Sequence, residues 1–449
     1  MLHSVREPER DIACVHETDL AVVGGSCTGL FAAVRAARLG ARVAIVEKQN
    51  CFGGMATAGA VNIWHSLHDT EKRRAIIGGL TQETIERLKK RDAVEETATA
   101  SVAFRINTEE LKIELDELAL AHGIVPFLNT VYCAPAVEDG RLAAVIVENK
   151  SGRHAIRARQ FVDASGDGDL ARDLGLPFAI GPGLQPPTLC AKLFGLDSLG
   201  DFDWQAAIEE HGSEFGLEKD WGWGSSIPGL PGMMLRADTH VFNTDVSDAE
   251  QLTRAEIEGR RQVRAMLDVI RAYGPAGARV GLADLAAALG ARESRRFRLR
   301  YRLTGDDVLF GRSFDDAIAN GSYRVDIHHA DGPGVTFRYL DGTESVIRSR
   351  GFAAEKGRWR DPLPEDPTFY QIPLRCLLQD RVPNLALAGR MLDADPVAYS
   401  AARVMVNLNQ TGEAAGVACA LAIRSGGDVA ACEAAAVRKA LAEGGSIML

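Results

Sequence analysis

The chain has 449 residues, 46% of them hydrophobic and 25% charged, with a formal net charge of −10. That length predicts two or three domains around a core that needs no disulfide or metal to hold it. The acidic balance argues against nucleic acid as a partner. Glycine is the outlier: 45 residues, about 10% where about 7% is usual, and without the period of collagen.

In chain order, residues 20–23 form a short apolar run, the mark of a buried parallel strand. Gly24, Gly25 and Gly29 punctuate the turn after it. Residues 30–39 read as a helix stopped by Gly40, and 42–46 as a second strand ending on Glu47, which completes a βαβ unit. Residues 51–60 make a second glycine-rich loop, and 81–91 an exposed helix. Residues 107–122 read as a helix with Asn107 as N-cap, Glu110 in the capping-box position and Gly123 just past the end. Four strands follow at 124–128, 131–137, 141–148 and 154–164. Turns at Asp139-Gly140 and Ser151-Gly152 join the last three into a β-meander that re-enters the main sheet at 161–169.

From about 181 to 370 the texture changes. Pro, Gly and Trp cluster in 181–235, and a long helix spans roughly 248–272, between Ser247 and Gly274. Residues 296–303 alternate with period two and read as a strand with an arginine face. Residues 384–422 return to strand–loop–helix. The expected fold is α/β: a Rossmann-type binding domain with a β-meander, discontinuous over 1–180 and 371–449, plus a mixed α+β substrate domain over 181–370. Residues 61–106 are a candidate cap.

The strongest motif is Gly24, Gly25, Ser26, Cys27, Thr28 and Gly29, with Glu47 beyond it. It matches G-x-G-x-x-G between strand and helix, with an acid about 20 residues on. The first glycine allows a tight turn, the last lets helix pack on strand, and the helix N-terminus offers N–H groups to phosphates. Glu47 can accept from ribose hydroxyls. Ser26 replaces the middle glycine; its small hydroxyl could donate to a phosphate. Strand, helix, second strand and acid all fall in place, which makes this a dinucleotide site rather than a chance turn.

Four blocks together, VVGGSCTG…VEK, GGMAT, VDASGDGDLA and NLALAGRMLDADPVAYSAARVMVNLNQTGEAAGVACALA, span nearly the whole chain. They resemble the glutathione-reductase-type FAD superfamily, in its branch of FAD-dependent oxidoreductases related to fumarate reductase and p-hydroxybenzoate hydroxylase flavoproteins. The resemblance implies FAD as cofactor. It implies contacts from the first glycine loop, from Glu47 and Lys48, and from Gly53, Gly54, Met55, Ala56 and Thr57. Val131, then Ala164, Ser165, Gly166 and Asp167, then Gly389 and Arg390 are expected to join them. Asn409, Gln410, Thr411 and Gly412 complete the set, with Thr411 and Gly412 opening the last helix toward the flavin N1–C2=O edge, where a helix dipole favours reduction.

No second G-x-G-x-x-G follows a strand, so a separate NAD(P)H domain is not expected. The eight cysteines are scattered without a Cys-x-x-Cys pair; Cys51 reads first as a plain buried thiol, with a covalent flavin link through it or a nearby His as the alternative. No metal site is expected. The first 20 residues hold no apolar signal core and no run approaches the roughly 18 residues of a membrane helix, which points to the cytoplasm and no membrane partner. A flavin dehydrogenase needs a base, and His65, His68, His328 and His329 are the candidates, each weighed against a hydrogen-bonded structural role. Arg292 and Arg295 lead an arginine cluster suited to carboxylates, as in the fumarate-reductase relatives; the rest of the cluster reads as a solvated face. Tyr399, Arg390 and Arg403 are candidates for the substrate side. Trp64, Trp221, Trp223 and Trp359 could wall a pocket, with core packing the default. The expected function is hydride transfer between flavin N5 and a small polar organic substrate. The alternatives are a monooxygenase or reductase fed by external NAD(P)H, or a flavin-binding subunit of a larger redox complex. The electron acceptor stays open, and a homo-oligomer is compatible.

Overall fold

The computed structural model describes residues 4–98, 103–181, 183–220, 222–349 and 353–449. Its centre is β1 (Cys14–Val23), whose last four residues are buried on both faces. Parallel neighbours flank it: β2 (Val43–Val46) on one side and the strand Gly152–Asp163 on the other. Between β1 and β2 the chain crosses over as α1 (Cys27–Arg38). The sheet runs Val125–Phe127, β2, β1, Gly152–Asp163, Arg141–Asn149, Val131–Glu138. Gly152–Asp163 does two jobs along its length. Its first half pairs antiparallel with Arg141–Asn149 in the meander, and its second half pairs parallel with Leu385–Leu387. The chain's last third therefore closes the sheet its first third began.

The helix Met405–Ser425 lies against α1. Small residues permit this: a Cβ on Gly412 would come within 2.0 Å of the Thr28 carbonyl oxygen, and one on Gly416 within 2.0 Å of that of Ala32. The middle region carries two antiparallel four-stranded sheets. One runs Trp223–Ser226, Met233–Ala237, Ala191–Phe194, Gly281–Leu285, under the long helix Ala249–Tyr273. The other runs Val325–His328, Val335–Arg338, Thr343–Ile347, Glu355–Arg358. Among the described residues no helix is long and apolar enough to cross a membrane.

Three local expectations change. The helix Gly79–Lys89 is not simply exposed; Leu80, Ile85 and Leu88 bury one face. The long helix begins one residue later than expected, at Ala249, with Asp248 as its N-cap accepting from Gln251 N. Residues 296–303 are extended, but only Arg296–Phe297 pairs as a strand, with Phe178–Ala179. Beyond it, the N–H groups of Arg298, Arg300 and Leu303 donate to the carbonyls of Pro177, Leu378 and Asp393, three separate segments. The arginines follow suit. Arg300 and Arg302 pair with Asp380 and Asp393, while Arg296 is buried and donates to Ala394 O. Period two here marks an extended chain in a groove, not a sheet face.

Candidate functional site

The first wall of the site is backbone. Gly24 sits at φ +103°, and a Cβ there would lie 2.3 Å from Ala164 O; a Cβ on Gly29 would lie 1.9 Å from Gly24 O. The turn and the helix–strand contact both require glycine. Ser26 is the N-cap of α1, accepting from Gly29 N at 3.4 Å. Its hydroxyl is thus held by the helix yet keeps its own proton to donate. Glu47 Oε2 accepts from Gly25 N at 2.6 Å and Oε1 from Gln49 N at 2.8 Å. Each oxygen retains a lone pair for a ribose hydroxyl. The second loop presses on the first: Gly53 N donates to Gly25 O at 2.8 Å.

These loops open on a cavity of about 680 Å³, within the usual range of about 300–1,000 Å³ for ligand pockets. Its wall takes in Gly24, Ser26, Cys27, Thr28, Glu47 and Lys48, then Gly53, Gly54 and Met55. Ala164, Ser165, Gly166 and Asp167 follow, with Gly389, Arg390 and Asn409. The donor set fits FAD. Free N–H groups of α1 suit the pyrophosphate, Glu47 suits a ribose, and Gly24 leaves no Cβ in the cradle. Arg390 pairs with Asp167 at 2.5 Å, and Ser294 Oγ joins both. Burial works to raise the Asp167 pKa, but Arg390 and Ser294 hold it below the ordinary carboxylate value.

Other expected cofactor residues stand behind the wall. Gly25, Gly29 and Gly412 are packing positions whose Cβ atoms would clash. Ala56 is buried in the turn Gly54–Ala56, and Thr57 Oγ1 donates to Phe52 O at 2.5 Å. The Gln410 amide holds the backbone of Asn320. Val131 is 51% exposed at the start of the meander and is not among the lining residues, although Thr130 N beside it donates to Glu47 O at 3.0 Å. Thr411 and Gly412 do not open a helix but lie inside the helix Met405–Ser425. That helix begins at Met405 with no side-chain cap, and Arg403, Val404 and Met405 line the cavity. Thr411 Oγ1 instead donates to Leu408 O and accepts from Gly389 N. The positive helix end still faces the cavity, about two turns earlier than expected.

The inner end of the cavity is made of side chains. His328, at the end of its strand, is buried in the wall with Nε2 3.4 Å from Asp326 Oδ1. Burial, Arg292 and nearby cations and imidazoles hold its pKa well below the usual value, so the ring is neutral. His65 lines the cavity with its ring 4.0 Å from that of Tyr323. Arg292 lines it too, with Nη1 donating to Pro186 O and to Thr188 Oγ1. Burial and Arg403 lower its pKa to about 10, which leaves it cationic at neutral pH.

The remaining four catalytic candidates lie off the cavity wall. The His68 carbonyl accepts from Ser322 Oγ at 2.6 Å, and the His329 ring pairs with Thr336 Oγ1 at 2.9 Å. Arg295 grips Asp167 O, Asp169 and Ser247 O from behind. Tyr399 is fully buried and donates to Arg292 O at 3.0 Å, so it sets Arg292 rather than touching a ligand. Trp223 lines the cavity, Trp64 is core, Trp359 donates to Tyr339 O, and Trp221 lies outside the described residues.

Sequence reasoning missed Tyr323, Arg324, Asp326 and Gln185. Tyr323 OH donates to Asp326 Oδ2 at 2.7 Å, and the Arg324 guanidinium lies 3.9 Å over the Phe337 ring. Gln185 Oε1 accepts from His328 N and from Arg403 Nη2. One signal was available: Asp326 precedes His328 by two on a strand, hence shares its face.

A family model described as FAD dependent oxidoreductase matches residues 19–441. Over 99 residues the chain is 29% identical to the mitochondrial dihydrolipoyl dehydrogenase of Schizosaccharomyces pombe, covering 20% of this chain and 19% of that one. The chain thus matches about a fifth of that relative's length. Similar solved structures include a geranylgeranyl bacteriochlorophyll reductase-like protein of Thermoplasma acidophilum (12% identity, 95% of this chain and 83% of that one, TM-score 0.48). A flavin-dependent brominase (12%, 92% and 81%, TM-score 0.45) and a flavoprotein/dehydrogenase of Cytophaga hutchinsonii (14%, 92% and 80%, TM-score 0.43) are also similar.

Proposed function

The chain belongs to the FAD-dependent oxidoreductase family, and from that premise we propose that it is a dehydrogenase or oxidase of a small polar organic substrate. One observation supports this reading above the rest: a neutral, buried imidazole, His328, shares one cavity with the glycine-rich dinucleotide wall. Bound FAD supplies two-electron chemistry at its ring. The chain's own groups do the rest. His328 takes the O–H or N–H proton of the substrate at a ring nitrogen, as a base that is neutral near pH 7 can. Asp326 stands ready to balance the resulting imidazolium. Arg292 offers a desolvated cation to a polar or carboxylate substituent, and Tyr399 fixes its backbone. The uncapped start of the helix Met405–Ser425 adds partial positive charge at the cavity.

The test is anaerobic reduction. The FAD-loaded protein is mixed with a panel of small hydroxy, amino and keto acids and related polar metabolites, and the flavin absorbance is followed. Bleaching by one chemical class without NAD(P)H is the expected result. Bleaching by NADPH alone would move the reading to a monooxygenase or reductase. Failure with every donor would favour a flavin-binding subunit.

A further inference from the structure

His240 lies outside the cavity wall, against His328. Two antiparallel strands bring it there. Trp223–Ser226 pairs with Met233–Ala237, with Trp223 opposite Ala237. Asp220 and His240 flank that pairing, three residues before Trp223 and three after Ala237. Their side chains meet: His240 Nδ1 lies 2.5 Å from Asp220 Oδ2. Gln262, on the helix Ala249–Tyr273, holds the His240 backbone on both sides. Its Oε1 accepts from the N–H at 3.1 Å, and its Nε2 donates to the carbonyl at 3.0 Å.

The carboxylate makes Nδ1 the protonated nitrogen and leaves a lone pair on Nε2. That Nε2 is buried and has no hydrogen-bond partner among the described residues. A bare acceptor in the interior is destabilising, so it calls for a use. Its neighbour is the base itself: the His240 and His328 ring centroids are 5.1 Å apart, at 61°. His328 thus has Asp326 Oδ1 3.4 Å from its Nε2 and the His240 ring packed against its own. A neutral imidazole has one N–H and an imidazolium has two. A carboxylate on one side and a neutral, acceptor-bearing ring on the other suit the form His328 takes after it has accepted a proton.

The surrounding charges set the balance. Burial, Arg292, a charged His240, Arg403 and His329 disfavour the charged His328 ring, which is why His240 has to stay neutral. Asp326 favours it directly, and Asp220 and Asp238 face His240 from the strand side. The resting ring is therefore neutral, with the means to hold a proton already in place.

We propose that His240, fixed in one tautomer by Asp220, is a positioning residue for His328, orienting the ring for proton uptake in the cavity and supporting the proton once it is there. This rests on His328 as the base. No residue of the pair touches substrate; both act through His328.

The experiment uses the full FAD-loaded chain, labelled with 15N-histidine, with resonances assigned by single substitutions. His240 is expected as the Nδ1–H tautomer with Nε2 bare through neutral pH, a measurement that needs no variant. Asp220→Asn is expected to shift the His328 nitrogen resonances and to move its titration to lower pH. With any donor that bleaches the flavin, Asp220→Asn slows reduction about 10–100-fold and moves the acid limb of the pH profile down. His240→Gln, whose amide oxygen can accept in place of Nε2, retains more rate than His240→Phe. Protonation of His240 at Nε2 would overturn the proposal. So would unchanged His328 resonances in an Asp220→Asn protein of wild-type FAD content and melting temperature. A wild-type protein that no donor reduces would refute the dehydrogenase reading while leaving the tautomer result intact, so the two failures are distinct.

Discussion

At its glycine-rich end the cavity is walled by segments that are each continuous in sequence: the turn after β1, residues 53–55 and the 164–167 loop. At its inner end the wall is made of side chains, Arg292, Tyr323, Asp326, His328 and Arg403, delivered by strands and loops far apart in the chain. The first end has little freedom. Gly24 and Gly29 leave no room for a Cβ, and the fold itself needs their conformation. The second end is set by side chains held in hydrogen bonds between distant segments, such as Tyr323 to Asp326 and Gln185 to His328 and Arg403. On the proposed reading, one end holds the cofactor and the other acts on the substrate.

The largest effect expected is at the backbone end. Gly29→Val places side-chain atoms against Gly24 O, where a Cβ already falls at 1.9 Å. Loss of FAD is the expected outcome, read as flavin absorbance per protein after gel filtration. A variant that retained one FAD per chain would break the comparison. Next comes His328→Ala at the other end. FAD stays bound and flavin reduction by an active donor falls about 10²–10⁴-fold, the usual worth of a positioned base. Loss of FAD instead of rate would show that the two ends are not separable.

The smallest effect concerns what braces the backbone end from behind. Glu413, on the helix packed against α1, is buried with Leu80 N, Ser446 Oγ and Arg35 Nε around one carboxyl. Burial pushes its pKa up from 4.5 to about 7 despite Arg35. The folded state then binds a proton more tightly than the unfolded one between those values, so stability falls as pH rises from about 4.5 to about 7. Glu413→Gln should flatten that slope, a change of a few degrees in melting temperature across the window. An unaltered slope would remove Glu413 as its source.

Legibility in the sequence follows the same division. The βαβ unit, the meander and the Asn107 cap were readable because turn glycines, apolar runs and caps act within a few residues. Residues 296–303 misled because period two reports an extended chain and is blind to whether a partner strand exists. The resemblance puts Thr411 and Gly412 at a helix start; here Gly412 serves a close helix contact inside the helix instead. Among four histidines, local sequence could not separate His65 and His328 from His68 and His329. Membership in a cavity wall depends on how distant strands meet. His240 carried no local signal at all, since Asp220 and His328 reach it from either side only through strand pairing and ring packing.

The central claim is that one cavity joins a backbone cradle for FAD to a side-chain centre around His328. A crystal structure of the FAD-loaded protein tests it most directly. The account predicts the pyrophosphate at the N-terminus of α1, a ribose on Glu47, and the flavin ring between the start of the helix Met405–Ser425 and His328. A flavin ring bound elsewhere, with His328 facing the adenine or no part of the cofactor, would contradict it.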